Sequence, residues 1–143
     1  KCLICPQGKY NQEIGANSID YCKSCEPGKY RGSDMEIECE ICSTGKFSNY
    51  GESACRYCSP GMFVYVENEL PIFCKSCPSG KYINEEGGYL QESCKNCPQG
   101  KYSDTSGSST EDDCKLCLEG KYSDTYGATD ETTCIQCEAG QYN

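Results

Sequence analysis

The residues of this chain whose type and spacing could do chemistry are its 16 cysteines among 143 residues. They form eight Cys-x-x-Cys pairs, beginning at Cys2, Cys22, Cys39, Cys55, Cys74, Cys94, Cys114 and Cys134. Thiols so placed can bridge as disulfides, chelate zinc in fours, or act as dithiol redox centres. Cys-x2-Cys-x16-Cys-x2-Cys falls within the spacing of a four-thiolate zinc site, so Cys2, Cys5, Cys22 and Cys25 could hold one ion. Zinc quartets, however, take pairs two by two, and alternate loops should then differ. Here every loop restarts the same phrase. The chain has no histidine and a net charge of −9, and four all-thiolate centres would add more negative charge. A thioredoxin-like role needs one motif at a helix N-terminus on a βαβ scaffold, not eight on glycine-rich loops. Disulfides are the expected chemistry, with no metal and no cofactor.

The elements that position these thiols repeat with them. Three residues after each second cysteine stands a glycine: Gly8, Gly28, Gly45, Gly61, Gly80, Gly100, Gly120 and Gly140. Two residues further is an aromatic: Tyr10, Tyr30, Phe47, Phe63, Tyr82, Tyr102, Tyr122 and Tyr142. The chain is therefore a tandem array of units of about 20 residues. The expected units are 2–21, 22–38, 39–54, 55–73, 74–93, 94–113, 114–133 and a partial 134–143, in one continuous array over 1–143. Both ends fall inside a repeat, which reads as a fragment of a longer chain. A unit this small cannot bury a core. Burying its one regular aromatic contributes roughly 2–3 kcal/mol, whereas ordering the unit costs on the order of 30 kcal/mol. Covalent staples must dominate, and cysteine at about 11% is in the range of a disulfide scaffold.

A second glycine follows in most loops, at Gly15, Gly87, Gly107 and Gly127, with Gly51 one position early. Each loop reads as a turn, a short extended Lys-aromatic stretch, a glycine turn, and a Ser/Thr/acid run into the next cysteine. No stretch has the 3.6-residue apolar period of a helix, so short β-hairpins with little helix are expected. The loop 58–74 departs from the rest. Met62-Phe63-Val64-Tyr65-Val66 and Leu70-Pro71-Ile72-Phe73 flank a polar Glu67-Asn68-Glu69, the pattern of a larger hairpin. Its apolar side chains can pack on each other and on adjacent units. Alternatively Met62, Phe63, Tyr65, Leu70, Ile72 and Phe73 form a partner contact, since exposed apolar patches mark interfaces.

Uniform loops favour a pairing that treats all units alike. It joins Cys5–Cys22, Cys25–Cys39, Cys42–Cys55, Cys58–Cys74, Cys77–Cys94, Cys97–Cys114 and Cys117–Cys134, with Cys2 and Cys137 bonded to flanking units. Each bridge then closes a loop of about 14–18 residues and contributes about 3 kcal/mol in the chain-entropy model. The crossed pattern, Cys2–Cys22 with Cys5–Cys25, stays as the alternative. It would make the true repeat about 40 residues with alternating loops.

At Cys5-Pro6-Gln7-Gly8-Lys9-Tyr10, Cys77-Pro78-Ser79-Gly80-Lys81-Tyr82 and Cys97-Pro98-Gln99-Gly100-Lys101-Tyr102, the chain resembles the ephrin-receptor-like cysteine-rich repeat. It is similar in turn to the first module of tumour-necrosis-factor receptors and the last loop of EGF domains. In those two relatives the cysteine before the glycine-aromatic phrase closes onto the next cysteine downstream, which supports the uniform pairing. The resemblance implies a small disulfide-rich EGF/TNFR-like array. Such repeats occur in long arrays in large surface proteins of algae and protists, and in animal receptors.

Several function classes are excluded as expectations. There is no histidine, no Gly-x-Ser-x-Gly phrase and no phosphate loop, so an enzyme is not expected. No basic stripe marks a nucleic-acid binder, and no apolar run approaches a membrane span. Asp104, Asp112, Asp113, Asp124 and Asp130 lack the spacing of a calcium loop. Such cysteine density implies the secretory pathway, and an extracellular or cell-surface protein. The expected function is a structural or adhesive scaffold: an elongated rod in a coat, filament or ciliary hair, each unit touching mainly its neighbours. The alternative is a receptor or recognition ectodomain for a protein ligand. Partners would be neighbouring repeats, lateral copies or other extracellular proteins. In denaturant with chelator but no reductant, alkylation should reach Cys2 and Cys137 and spare the other 14 cysteines. Alkylation of all 16, with zinc bound natively, would overturn the disulfide reading.

Overall fold

In the computed structural model, residues 2–33 and 37–142 are described. Seven disulfides close seven successive loops: Cys5–Cys22, Cys25–Cys39, Cys42–Cys55, Cys58–Cys74, Cys77–Cys94, Cys97–Cys114 and Cys117–Cys134. We number these loops one to seven. Their Cα–Cα spans run from 5.7 to 5.9 Å, within the normal range for a bridge. Cys2 and Cys137 carry no bridge.

Each loop folds locally for the same reason. The first glycine makes a tight turn, after which the Lys-aromatic pair is extended and ladders onto the two residues inside the next cysteine pair. Lys9–Tyr10 pairs antiparallel with Lys23–Ser24, Lys101–Tyr102 with Lys115–Leu116, and Lys121–Tyr122 with Ile135–Gln136. The disulfide and the ladder thus tie the same two segments together. The run before the closing cysteine forms a single 3-10 turn in four loops, at Ile19–Tyr21, Gln91–Ser93, Glu111–Asp113 and Glu131–Thr133. Ser18 and Asp130 cap two of these by accepting from the amides of Asp20 and Thr132, the usual role of a short polar side chain at an N-cap. No α-helix occurs among the described residues.

The loops are stitched together by backbone. The first-glycine amide donates to a carbonyl one loop ahead, as in Gly8 to Arg31, Gly80 to Ser103 and Gly100 to Ser123. The second-glycine amide donates back to the cysteine that opens the preceding loop, as in Gly87 to Cys58, Gly107 to Cys77 and Gly127 to Cys97. The residue after the second glycine pairs in parallel with the aromatic of the loop before it: Gly88 with Phe63, Ser108 with Tyr82, Ala128 with Tyr102. Contacts also reach two loops along. A Cβ on Gly45 would lie 2.5 Å from the carbonyl oxygen of Gly87, and Cβ atoms on Gly8, Gly61 and Gly80 would lie closer still to Gly51, Gly107 and Gly127. Units meet their neighbours as expected, and in addition loops one and three, three and five, four and six, and five and seven touch.

One correction concerns the core. The regular aromatics are mostly half-buried, and Tyr122 is exposed. The next residue is the buried one: Arg31, Ser48, Val64, Ile83, Ser103 and Ser123. It sits under the stitch to the following loop, where backbone approaches backbone and a ring would not fit. Ser48 and Ser103 satisfy their hydroxyls differently, Ser48 Oγ donating across to the Lys29 carbonyl of loop two at 2.8 Å and Ser103 Oγ locally to that of Thr105 at 3.1 Å. Arg31 replaces the small residue with a guanidinium that donates to the carbonyls of Cys5, Pro6 and Lys9 at 3.0, 3.3 and 2.6 Å, tying loop two to loop one. The chain keeps an accessible surface of 9280 Å², against about 7,300 Å² for a compact monomer of this mass. The array is extended.

The two-loop contact can be isolated by a pair of substitutions. Gly80 and Gly120 have the same backbone, φ +76°, and alanine there costs about 1–2 kcal/mol from the left-handed conformation alone. Nothing lies within 4 Å of a Cβ on Gly120. Gly80→Ala should lower stability well beyond Gly120→Ala and raise exchange at the Gly127 amide. Equal effects of the two, measured by thermal unfolding and hydrogen exchange, would show that the contact contributes nothing.

Candidate functional site

Loop four carries the one long hairpin. Met62–Glu67 pairs antiparallel with Leu70–Ser76, and Gly88–Tyr89 of loop five adds in parallel on the other side of Met62–Glu67. Asn68 and Glu69 both have positive φ, 50° and 66°, the conformation of a two-residue type I′ turn. The register shifts between Tyr65 and Val66: Tyr65 faces Phe73 and Val66 faces Pro71, leaving Ile72 as the extra residue of a bulge. Pro71 thus sits where a missing N–H is tolerated.

The structure divides the six candidate contact residues. Phe63 is 3% exposed and lies in a cluster with Cys77, Ile83 and Cys94. It is a core residue and not a partner contact, because Ile83 and the Cys77–Cys94 bridge of loop five pack against it. Met62 and Tyr65 are half-buried. Tyr65 packs its ring 5.0 Å from that of Phe73, with the Lys75 ammonium 5.5 Å above it. Leu70, Ile72 and Phe73 remain together at the hairpin tip, Phe73 being 42% exposed.

The tip has a second role. Loop four lacks a second glycine, and its hairpin occupies the place where that turn would stand. A Cβ on Gly28 would meet Leu70 Cβ at 3.0 Å and Pro71 N at 3.1 Å. The hairpin is therefore seated on loop two, two loops away, as the glycine turns are elsewhere. Between the seat and the tip lies a shallow groove of about 490 Å³, with Glu26 and Pro27 on one wall and Glu67, Leu70, Ile72 and Phe73 on the other.

Three of the carboxylates considered for calcium, Asp104, Asp113 and Asp130, are engaged individually. Asp104 accepts from the Lys115 ammonium at 2.7 Å, and that hydrogen bond holds its carboxyl below the usual aspartate range. Asp113 accepts from the amides of Thr110 and Ser109, which lowers it in the same way. Asp130 is lowered by the Thr132 hydroxyl and amide. Lys101 pairs with Glu111 at 2.9 Å, raising the lysine and lowering the glutamate. Among the described residues, no three potential metal ligands converge, and no helix is long and apolar enough to cross a membrane.

Phe63→Ala should destabilise loops four and five by about 3–5 kcal/mol, as emptying a buried aromatic site does. Phe73→Ala should cost far less. Urea unfolding of the two variants with bridges intact separates core from surface, and equal losses would contradict the division drawn above.

Residues 71–114, the heart of the regular region, match the model of the tyrosine-protein kinase ephrin type A/B receptor-like family. The chain is also 32% identical over 89 residues to the zebrafish (Danio rerio) protein "Signal peptide, CUB and EGF-like domain-containing protein 2", covering 60% of this chain and 9% of that relative. With its loops closed one after another and its hairpins laddered alike, this chain is a tandem array of disulfide-closed cysteine-rich repeats, of which residues 71–114 match the ephrin-receptor-like family.

Proposed function

We propose that this chain is a tension-resistant scaffold segment of an extracellular protein: a rod within a cell-surface coat, filament or ciliary hair, without enzymatic activity. The observation that carries this reading is the stitch between loops two apart, as in Gly80 against Gly127. Bridges alone would give closed loops on a string. The stitch makes each junction resist bending, because three loops must separate together. Cys2 and Cys137 would bond to flanking units and carry the covalent path onward. Export is supported by the disulfide density, since bridges persist in oxidising compartments, and by the signal peptide in the name of the zebrafish relative.

One observation favours a second reading, a recognition ectodomain. The long hairpin of loop four gathers Phe73, Ile72 and Leu70 at the surface, whereas the glycine turns that fill the same position elsewhere carry at most a lone exposed apolar residue, as with Ile14, Tyr50 and Tyr126. Both roles can coexist in one array.

Single-molecule pulling tests the scaffold. With bridges closed, the array should resist and then yield in discrete steps as junctions unpeel. With reductant, the seven loops should release on the order of 350 Å of further contour, at about 3.3–3.6 Å per residue. Entropic-spring extension with the bridges closed, without discrete steps, would overturn the rod.

A further inference from the structure

The groove at the tip of the long hairpin sets an apolar floor within an acidic rim. Its floor is apolar, from Leu70, Ile72 and Phe73. Its rim carries the carboxylates of Glu26 and Glu67, and neither lysine nor arginine lines it. The cation nearest its rim, Lys29, reaches Glu26 Oε2 at 3.5 Å. That pair is exposed, with the Glu26 side chain 62% accessible, and so binds weakly. Glu67 forms no ion pair among the described residues. The strand edge beneath is poorly suited to backbone pairing. Pro71 has no amide and Ile72 is bulged, both features that block addition of a further strand. What the groove can read is side chains.

We propose that this groove docks an exposed segment of a partner protein that presents one large apolar side chain flanked by lysine or arginine. The proposal rests on the recognition reading of the hairpin and is independent of the scaffold. The apolar side chain would displace water from Leu70, Ile72 and Phe73. The flanking cations would meet Glu26 and Glu67, and the −9 charge of the chain would draw a basic segment in and repel an acidic one. Because the carboxylates are exposed, this electrostatic part is screened by salt.

The probe is a synthetic peptide with one phenylalanine between two lysines on either side, capped at both ends. It is titrated into the isotope-labelled, fully bridged chain. Amide shifts should appear at residues 26–27 and 67–73 and weaken as salt is raised. Replacing the peptide's lysines by glutamates, or its phenylalanine by alanine, should abolish them. Phe73→Ala and Glu67→Lys, both at exposed positions, should weaken binding about tenfold or more, as loss of an interface anchor does, with unchanged spectra elsewhere. No shift at these amides with millimolar peptide overturns the docking site. Binding of the glutamate peptide instead overturns the charge class while keeping a recognition surface. Broadening of the same amides with protein concentration alone assigns the groove to a second copy and overturns the peptide ligand. None of these outcomes bears on the pulling experiment.

Discussion

Everything in this array depends on each loop being closed before it is packed. A segment whose bridged cysteines stand 13–17 positions apart contains almost nothing to bury. The largest fully buried side chains are Val64, four cysteines and two serines. Such a segment folds because its ends are already held together, which removes most of the open chain's freedom. The two-residue ladders, too short to stand alone, then form because the disulfide holds their strands at pairing distance. Covalent closure is the cause, and the hydrogen bonds between loops are what it makes affordable.

Once the loops are closed, shape follows from where side chains are absent. The first glycine of loops one, three, four and five faces a carbonyl of the loop two further on, and the residue after the second glycine is small and buried in loops five, six and seven, at Gly88, Ser108 and Ala128. Gly88 illustrates this: a Cβ there would meet Ile83 Cδ1 at 2.5 Å. The array coheres through backbone polar groups at close range, with rings such as Tyr102 and Tyr122 lying along the flanks instead of inside.

Much of this was legible in the residues. The spacing of Cys-x-x-Cys, glycine and aromatic announces repeated closed hairpins, and the run from Met62 to Phe73 announces a longer one. The burial of Ser48, Ser103 and Ser123 was not legible, because serine after tyrosine reads as solvated loop. The recurrence of one buried position was the available signal: Arg31, Ser48, Val64, Ile83, Ser103 and Ser123 all stand directly after the aromatic. The sequence leaves Phe63 open between core packing and a partner contact, because alternation along a strand shows two faces but not which is covered. Ile83 and the Cys77–Cys94 bridge, which cover it, come from the next loop and carry no mark in the sequence of loop four. The two-loop reach was invisible for a related reason, since a contact between glycine and a carbonyl leaves no side-chain pattern.

The seating of the long hairpin on loop two has an evolutionary consequence. Arrays of this kind change length by duplication and loss of whole units, and interchangeable loops survive such events without readjustment. The hairpin is not interchangeable, because Leu70 and Pro71 fit against Gly28 and the groove takes one wall from Glu26 and Pro27. Gain or loss of a single unit between them would shift the phase by one and set the tip on a different neighbour. The stretch from Cys25 to Cys74 should therefore be inherited as an indivisible cassette, while the regular units after it remain free to multiply.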